Sequence, residues 1–415
     1  MLSVLLWSAI SAAFIGPGTV TTASKAGAQH GMALLWALAF STAACFVLQE
    51  AAARLTVASG MTLGEAIARR SGLRWLPAGV VAAVVIGCAA YQAGNILGVV
   101  AGVGLVASVP AATVTLGAGL FVATMLALGS PRAVAHLLGL VVAAMGVAFA
   151  ACAWTVRPGL DALAAGLVRP SLPAGSSALV LGLIGTTVVP YNLFLGSGLA
   201  RGRCLSDARF GLAVAIPLGG LISIAILVAG TAVGEPYSFE ALARSLERQI
   251  GPAGGRLFAF GLGAAGLSSA MTAPLAAALA VGGLVRGRRV YRSVWAGVLG
   301  FGLGFGLTGV QPVPVIVLAQ ALNGLLLPFV ALFLMLAVND RELMGRDHLS
   351  GALGNAALGL SVLVSLMLGL RGLAGAFVRV SGAAGVPESW LVGIALVGAL
   401  VILLPLARII RRHRS

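Results

Sequence analysis

The stretch Phe14-Ile15-Gly16-Pro17-Gly18-Thr19-Val20-Thr21-Thr22 interrupts an otherwise apolar segment near the start of the chain. A second stretch, Thr187-Val188-Val189-Pro190-Tyr191-Asn192-Leu193, interrupts another apolar segment much further along. Broken membrane helices at matching positions of two halves point to the binding site of a transporter. Backbone freed from a helix is tolerated at membrane depth only where protein buries it or where it lines a cavity. In such a cavity, loose carbonyls and half-helix ends can bind a substrate.

The composition is typical of a membrane protein. The 415 residues are 60% hydrophobic and 9% charged, whereas a soluble domain carries about 25% charged residues. The apolar runs are long and continuous, which favours membrane-spanning helices over the short alternating segments of a β-barrel. The net charge of +15 comes from short basic clusters between these runs. That pattern encodes topology, and we expect a lipid bilayer and no nucleic acid as partner.

The apolar runs predict an all-α polytopic protein with about twelve membrane helices. The breaks fall in the first helix, at Gly16–Thr19, and in the sixth, at Val189–Asn192. This is the pattern of two inverted repeats of five helices, with two further helices behind them. We expect a transporter core over 1–346, with repeats at about 1–156 and 176–340, and accessory helices with a basic tail over 347–415. The predicted spans are about 3–28, 32–56, 77–107, 111–129, 133–155, 178–200, 207–233, 254–285, 291–309, 313–338, 351–370 and 389–407.

Arginine residues favour one side of the predicted membrane. They follow the second, sixth, eighth and tenth helices and end the chain, whereas loops on the other side are poorer in basic residues. By the positive-inside rule, both termini are cytoplasmic, and we expect an integral protein of the cell (inner) membrane. The residues that carry this asymmetry include Arg54, Arg69, Arg70, Arg74, Arg201, Arg203, Arg209, Arg286, Arg288, Arg289, Arg292, Arg341, Arg346, Arg408, Arg411, Arg412 and Arg414.

Other motifs indicate structural roles and not a catalytic or binding site. Gly261-Leu262-Gly263-Ala264-Ala265-Gly266 matches a dinucleotide-binding pattern, but it lies inside an apolar helix and is typical of a helix-packing face. The cysteines have neither metal-ligand spacing nor a disulfide framework, and we interpret them as small buried hydrophobes. No enzyme motif is found, and we expect neither enzymatic activity nor a cofactor. The cysteines are Cys45, Cys88, Cys152 and Cys204.

Several segments resemble the Nramp divalent-metal transporters. The first break, Gly16-Pro17-Gly18-Thr19, and the second, Pro190-Tyr191-Asn192-Leu193, are similar to the two broken regions of that family. The resemblance covers most of the chain up to about residue 346 and implies a LeuT-type fold with alternating access. Further similar segments are 26–31, 34–36, 48–55, 194–197, 266–272, 327–329 and 339–345.

The resemblance also implies metal ligands that this chain lacks. The first break of the family reads Asp-Pro-Gly-Asn, and its Asp and Asn bind metal, but the corresponding residues here are Gly16 and Thr19. The soft Met ligand of the sixth helix aligns with Val189. The two family His residues that follow align with Tyr191 and Gly196.

The family's proton-relay acids are also replaced. They align with Gln92 and Asn95, and the tenth-helix Gln that can join the metal shell aligns with Leu326. Magnesium-selective relatives also lack the Met and the relay, although they keep the first-helix carboxylate. The resemblance therefore implies no proton coupling by the family route.

The residues around the two breaks are uncharged and rich in oxygen. Mg²⁺ sites usually combine one or two carboxylates with retained waters, and soft ions prefer sulfur or imidazole. This set suits a hydrated cation, a monovalent ion or a small neutral or zwitterionic solute, and we assign no direct metal ligand. The predicted substrate-binding residues are Ala13, Gly16, Thr19, Thr186, Val189, Tyr191 and Asn192, and the predicted vestibule or gating residues are Thr22, Lys25, Tyr91, Gln92 and Asn95.

Two charged residues lie within predicted spans. Lys25 shares a helix face with Thr21 and Thr22. It either faces an anion-binding vestibule or extends to the outer membrane interface. Glu50 precedes Arg54 by four positions, which predicts a helical ion pair, with a coupling-ion role as the alternative.

These observations indicate an alternating-access transporter. The substrate class implied by the resemblance is a divalent metal cation, which could keep its hydration shell, as magnesium does. One alternative is a transporter of another small solute, either a monovalent ion or a carboxylate-bearing or zwitterionic molecule. Another is a sensor or scaffold that kept the fold without the site, because fold alone does not fix function. The oligomeric state is left open.

Overall fold

A computed structural model describes residues 9–70, 75–233, 236–285 and 287–381, with isolated positions at 390, 393 and 396–398. Every regular element in these ranges is an α-helix. Within them, nine helical segments are long and apolar enough to cross a membrane. The first span is not among the nine, and its residues before 9 lie outside the described ranges. The predicted twelfth helix, 389–407, lies almost entirely outside the described residues.

The first five spans and their connections occupy α1 to α8. They are α1 (9–14) with α2 (Pro17–His30), α3 (Leu35–Ser59), α4 (Leu63–Arg70), α5 (Leu76–Gly104), α6 (Ala111–Leu128), α7 (Pro131–Val156) and α8 (Leu160–Val168). The short α4 and α8 lie in connections between spans. The connection between the fifth and sixth spans thus contains a helix of its own, α8.

The second five spans start with another broken helix. They comprise α9 (Ser177–Thr187) with α10 (Pro190–Ala200), α11 (Leu205–Gly230), α13 (Pro252–Gly282), α14 (Arg288–Leu307) and α15 (Pro312–Ala337). The connecting helices are α12 (Phe239–Ile250) and α16 (Arg341–Met344), and the eleventh span is α17 (Ala352–Ser381). The breaks thus fall in the first and sixth spans, as the sequence predicts.

Both breaks are shorter than predicted. Pro17 and Pro190 each stand at the first position of a new helix, where a proline's fixed φ and missing N–H are tolerated. The unwound residues therefore precede the prolines, and the predicted breaks at Gly16–Thr19 and Val189–Asn192 were placed too late. Gly16 itself is extended, with φ −108° and ψ −178°.

Glycines allow the central helices to approach closely. A Cβ on Gly102 of α5 would lie 2.6 Å from the backbone nitrogen of Gly263 in α13, and one on Gly266 would lie 2.7 Å from the Asn95 carbonyl oxygen. Small residues at such crossings are the usual packing device of membrane helices. This confirms the helix-packing interpretation of the Gly261–Gly266 segment.

Ion pairs join the helices at the predicted cytoplasmic side. The predicted pair of Arg54 and Glu50 is confirmed at 3.2 Å, and Arg209 of α11 also reaches Glu50 at 2.7 Å. Arg70, at the end of α4, contacts Asp340 at 2.6 Å. These contacts tie α3 to α11, and α4 to the segment that follows α15.

A capping box starts α4. The backbone N–H of Thr62 donates to Glu65 Oε2 at 2.8 Å, and the backbone N–H of Glu65 donates to Thr62 Oγ1 at 3.4 Å. Burial raises the pKa of Glu65, but the Thr62 N–H and the charge of Arg201 outweigh that effect and lower it below the ordinary value. Glu65 is therefore ionised at neutral pH, as its pair with Arg201 at 3.2 Å requires.

The cysteines provide a test of topology. Cys45, Cys88 and Cys152 are buried, as expected, whereas Cys204 is exposed and corrects that expectation. On the predicted topology, Cys204 lies inside and the exposed Ala174 outside. In intact cells, an impermeant maleimide should spare Cys204 and label Ala174→Cys placed in a Cys204→Ser background. The reverse labelling pattern would overturn the assignment of both termini to the cytoplasm.

Candidate substrate site between the broken helices

Hydroxyl groups join the two broken helices where they face each other. The hydroxyls of Thr19 in α2 and Thr186 in α9 lie 2.9 Å apart, and both residues are buried. The Thr19 hydroxyl also donates to the carbonyl of Phe14, at 2.5 Å, which belongs to the last turn before the first break. A freed backbone carbonyl is thus satisfied by a side chain, as burial in a membrane protein requires.

A glutamine of α15 completes this side of the site. Thr22 Oγ1 donates to Gln320 Oε1 at 2.8 Å. A Cβ on Gly18 would lie 2.6 Å from Gln320 Nε2, so the Gln320 side chain would have to move if residue 18 were larger than glycine. Gln320 Nε2 is buried without a hydrogen-bond partner in the described part of the chain. Its N–H groups are therefore available to an acceptor on a bound molecule or its waters.

Asn192, in the first turn of α10, has the fewest side-chain hydrogen bonds for its polar atoms in this region. It is 1% exposed, and neither Oδ1 nor Nδ2 has a partner among the described residues. Its backbone carbonyl instead accepts from Gln49 Nε2 of α3 at 2.9 Å. Unpaired buried polar atoms cost about 1–3 kcal/mol each. An amide with two of them is a candidate ligand-binding group.

Two tyrosines pack in this region. Their rings form an edge-to-face contact, with the centroids of Tyr91 and Tyr191 5.4 Å apart. Tyr191 Oη donates to the Ala13 carbonyl at 3.1 Å. This carbonyl, which the sequence analysis proposed as a substrate ligand, therefore already accepts a hydrogen bond from a side chain.

The third span contributes amides near the first break. Gln92 Nε2 donates to the Ala270 carbonyl at 3.2 Å, and Asn95 Nδ2 lies 3.5 Å from Gln92 Oε1. Ser269 of α13 stands between this pair and the break. A Cβ on Gly16 would lie 2.8 Å from Ser269 Oγ and 3.6 Å from Asn95 Oδ1. The position aligned with the family's first-helix carboxylate is thus bounded by a neutral serine and a neutral amide.

The predicted residues do not all share one surface. Thr19 is hydrogen-bonded to Thr186 and Thr22 to Gln320, whereas Val189 is buried and contributes no side-chain donor or acceptor. Lys25 is half-buried further along α2 and makes no ion pair within the described ranges.

Sequence reasoning missed three polar residues. Gln320 of α15 reaches the site, where it accepts a hydrogen bond from Thr22. Ser269 and Gln49 were also missed. Each is a buried polar residue in an otherwise apolar span, which was the available signal. A Cβ on Gly196 would lie 2.0 Å from Gln49 Oε1, so the Gln49 amide fills the space beside the position of the family's second His.

The sequence of this chain matches a known protein family and several of its members. The family model for natural resistance-associated macrophage protein-like sequences matches residues 8–375. The chain belongs to the Nramp family. A curated relative, the divalent metal cation transporter MntH of Deinococcus radiodurans, is 28% identical over 359 residues, 81% of each chain. MntH of Pectobacterium carotovorum is 29% identical over 355 residues, 80% of this chain and 84% of the relative.

A solved structure confirms the fold. The manganese transporter of Eremococcus coleocola, in complex with an aromatic bis-isothiourea compound, matches with a TM-score of 0.77 at 19% identity. The match covers 99% of this chain and 95% of that one. The Nramp chain described here is therefore a polytopic membrane transporter with the LeuT-type inverted repeat.

The site of this Nramp chain differs in its chemistry from a site for a dehydrated transition metal. No group of three or more His, Cys, Asp or Glu residues that could hold a metal ion occurs among the residues the structure describes. The groups present at the site are hydroxyls, amides and backbone carbonyls. These bind water and hydrated ions well but are not the sulfur or imidazole ligands that soft ions prefer.

Proposed function

We propose that this protein is an alternating-access transporter whose substrate is a divalent metal cation that keeps part of its hydration shell, as Mg²⁺ does. Its MntH relatives are named as divalent metal cation transporters, which supports the cation class. The unpartnered amide of Asn192, between the two broken helices, is the observation that carries the proposal.

The mixture of free donors and acceptors favours a hydrated ion over a bare one. A bare cation is attracted to oxygen atoms and repelled by N–H groups, yet the nitrogen atoms of Asn192 and Gln320 also lack partners. Water molecules coordinated to a cation direct their hydrogens outward and can donate to Asn192 Oδ1, while waters outside the first shell can accept from the N–H groups. Mg²⁺ loses its waters reluctantly and usually keeps several when it binds to proteins. An amide-lined site can therefore hold the hydrated ion without a carboxylate.

The same free N–H groups favour a second candidate, a small solute that carries a carboxylate. Gln320 Nε2 could donate a hydrogen bond to a carboxylate, whereas a metal cation cannot accept one. Half-helix N-termini, such as the start of α10 at Pro190, also favour anionic groups. Only a direct comparison of substrates separates the two candidates.

The test is a substrate screen on purified protein. Ligands that bind the folded state raise its apparent melting temperature, so Mg²⁺, Mn²⁺, Na⁺ and small amino acids should be compared. We expect a saturable rise with Mg²⁺ and uptake of Mg²⁺ into proteoliposomes. Stabilisation by an amino acid, with none by any metal, would favour the second candidate. No response to any of these ligands would favour a non-transporting scaffold.

Asn192 provides a sharper test of the site. We expect Asn192→Leu to reduce transport at least about tenfold and to raise the melting temperature, because it removes two unpaired buried polar atoms at similar volume. Transport and thermal stability, measured on the same preparations, check this. Gln49→Leu is the control, since it breaks the bond to the Asn192 carbonyl and should lower stability. A lowered melting temperature for Asn192→Leu would mean that the amide is structural.

The coupling proposal follows from the neutral third span. Gln92 and Asn95 stand where the family has acidic relay residues, and neither titrates near neutral pH. We expect substrate uptake without acidification of the proteoliposome lumen, followed with a pH-sensitive dye under an imposed membrane potential. Substrate-dependent acidification that Gln92→Ala abolishes would contradict this proposal. Acidification abolished by Glu50→Gln would instead assign coupling to the ion pair of α3.

A further inference from the structure

A cavity of about 980 Å³ lies apart from the candidate substrate site. It opens between the end of α3, the start of α11 and the first turns of α17. On the predicted topology it faces the cytoplasmic leaflet. It differs from the substrate site because its lining includes full charges.

One end of the cavity is ionic. Glu50 accepts from Arg54 at 3.2 Å and from Arg209 at 2.7 Å. Arg54 also donates to the His348 carbonyl at 2.8 Å, and Asp347 contributes a second carboxylate to the lining. Two cationic and two anionic side chains therefore line this end, so its formal charge balances.

Much of the remaining cavity wall is apolar, and several of its side chains are exposed. Phe210 is 61% exposed and Leu353 is 86% exposed on its walls. Phe46, Ala213 and Ala357 continue the same surface. A water-soluble ligand would leave these walls uncovered, whereas acyl chains would cover them.

We propose that this cavity binds a phospholipid of the cytoplasmic leaflet whose head group carries both a phosphate and a primary ammonium. The arginines match the phosphate, and the carboxylates match the ammonium, which can donate hydrogen bonds to them. The N-terminus of α17, which begins at Ala352, adds a partial positive charge for the phosphate.

The balanced charge decides between lipid classes. An anionic head group without an ammonium would leave the Glu50 and Asp347 carboxylates facing negative charge. A choline head group has the phosphate but no N–H donors for the carboxylates. A head group with both a phosphate and a primary ammonium can pair with the arginines and with the carboxylates at the ionic end of the cavity.

Native mass spectrometry of the delipidated full-length protein tests the proposal. The probes are dioctanoyl phosphatidylethanolamine, phosphatidylcholine and phosphatidylglycerol at equal concentration, with glycerophosphoethanolamine as the head group alone. We expect the phosphatidylethanolamine adduct to dominate. We also expect Arg209→Gln to weaken it about tenfold, the value of one charge-assisted hydrogen bond. Ala213→Trp, which fills the apolar part, should weaken it as well.

Arg201→Gln is the matched control. Its side chain is 52% exposed against 53% for Arg209, and it likewise pairs with a single glutamate, Glu65, but outside this cavity. Glu50 keeps Arg54 as a partner in Arg209→Gln, so that variant should fold. Equal binding of all three lipids, equal effects of the two arginine variants, or equally tight binding of the head group alone would each overturn the proposal.

Discussion

A variant that carries Gly16→Asp, Thr19→Asn, Val189→Met and Ser269→Ala is expected to bind Mn²⁺ about a hundredfold more tightly than the unmodified protein, a difference of about 2.8 kcal/mol. The first three changes supply a hard carboxylate, an amide oxygen and a soft thioether, the ligand types that Mn²⁺ and similar ions accept. Calorimetry with Mn²⁺ and Cd²⁺ measures the gain. The unmodified protein should bind both ions weakly.

Ser269→Ala is included because of the contact at the first break. The backbone of Gly16 has φ −108°, which any residue can adopt, so glycine is not required there for its conformation. The obstacle is Ser269 Oγ, 2.8 Å from the added Cβ, whereas Ser269 Cβ would be 3.4 Å away. The triple variant that keeps Ser269 should therefore bind Mn²⁺ less tightly than the quadruple variant and should melt at a lower temperature.

Two results would contradict this account. Tight Mn²⁺ binding by the unmodified protein would mean that hydroxyls, amides and carbonyls suffice as ligands. A folded quadruple variant that gains no metal affinity would mean that the cavity differs from a metal site in its backbone as well as its side chains. The second result would favour the carboxylate-bearing solute as substrate.

The fold was predictable because its determinants are local in sequence. Apolar runs of membrane length set the spans, and the prolines at positions 17 and 190 set the two helix restarts. Each signal is read from consecutive residues, and burial in lipid leaves few alternatives to a helix. Even so, proline belongs to the first turn of the new helix and not to the break. The sequence analysis therefore placed both breaks too late.

The site was less predictable because it depends on contacts between distant segments. Gln320 meets Thr22 across 298 positions, and Ser269 meets the Ala12 carbonyl across 257. Gln320 is a polar residue in an otherwise apolar span, which indicates an inward-facing position but not the residue that it contacts. The family resemblance drew attention to Leu326 and not to Gln320. The packing of α15 against the broken helices shows that Gln320 reaches Thr22.

The second large effect is expected from Gly27→Ala, which should prevent accumulation of folded protein. A Cβ at Gly27 would lie 2.0 Å from the Leu227 carbonyl oxygen and 3.1 Å from the Thr231 backbone nitrogen. These are backbone atoms of α11 and its end, so no side-chain rotation relieves the clash. Overpacking costs about 1–3 kcal/mol where side chains can adjust, and here two helices must separate. Size-exclusion profiles and thermal melts in detergent measure the loss.

Gly300→Ala is the matched control, because it makes the same chemical change in a membrane helix where, among the described residues, no atom outside the local backbone lies within 4 Å of the new Cβ. Alanine is the better helix former by about 1 kcal/mol, so Gly300→Ala should be neutral or slightly stabilising. The chain has 58 glycines, and composition alone does not distinguish Gly27 from Gly300. If both variants fold equally well, then α2 and α11 do not cross at Gly27 as closely as described. If only Gly27→Ala fails to fold, then the close crossing of α2 and α11 requires a residue without a side chain at position 27. That crossing positions Thr19 and Thr22 at the candidate site.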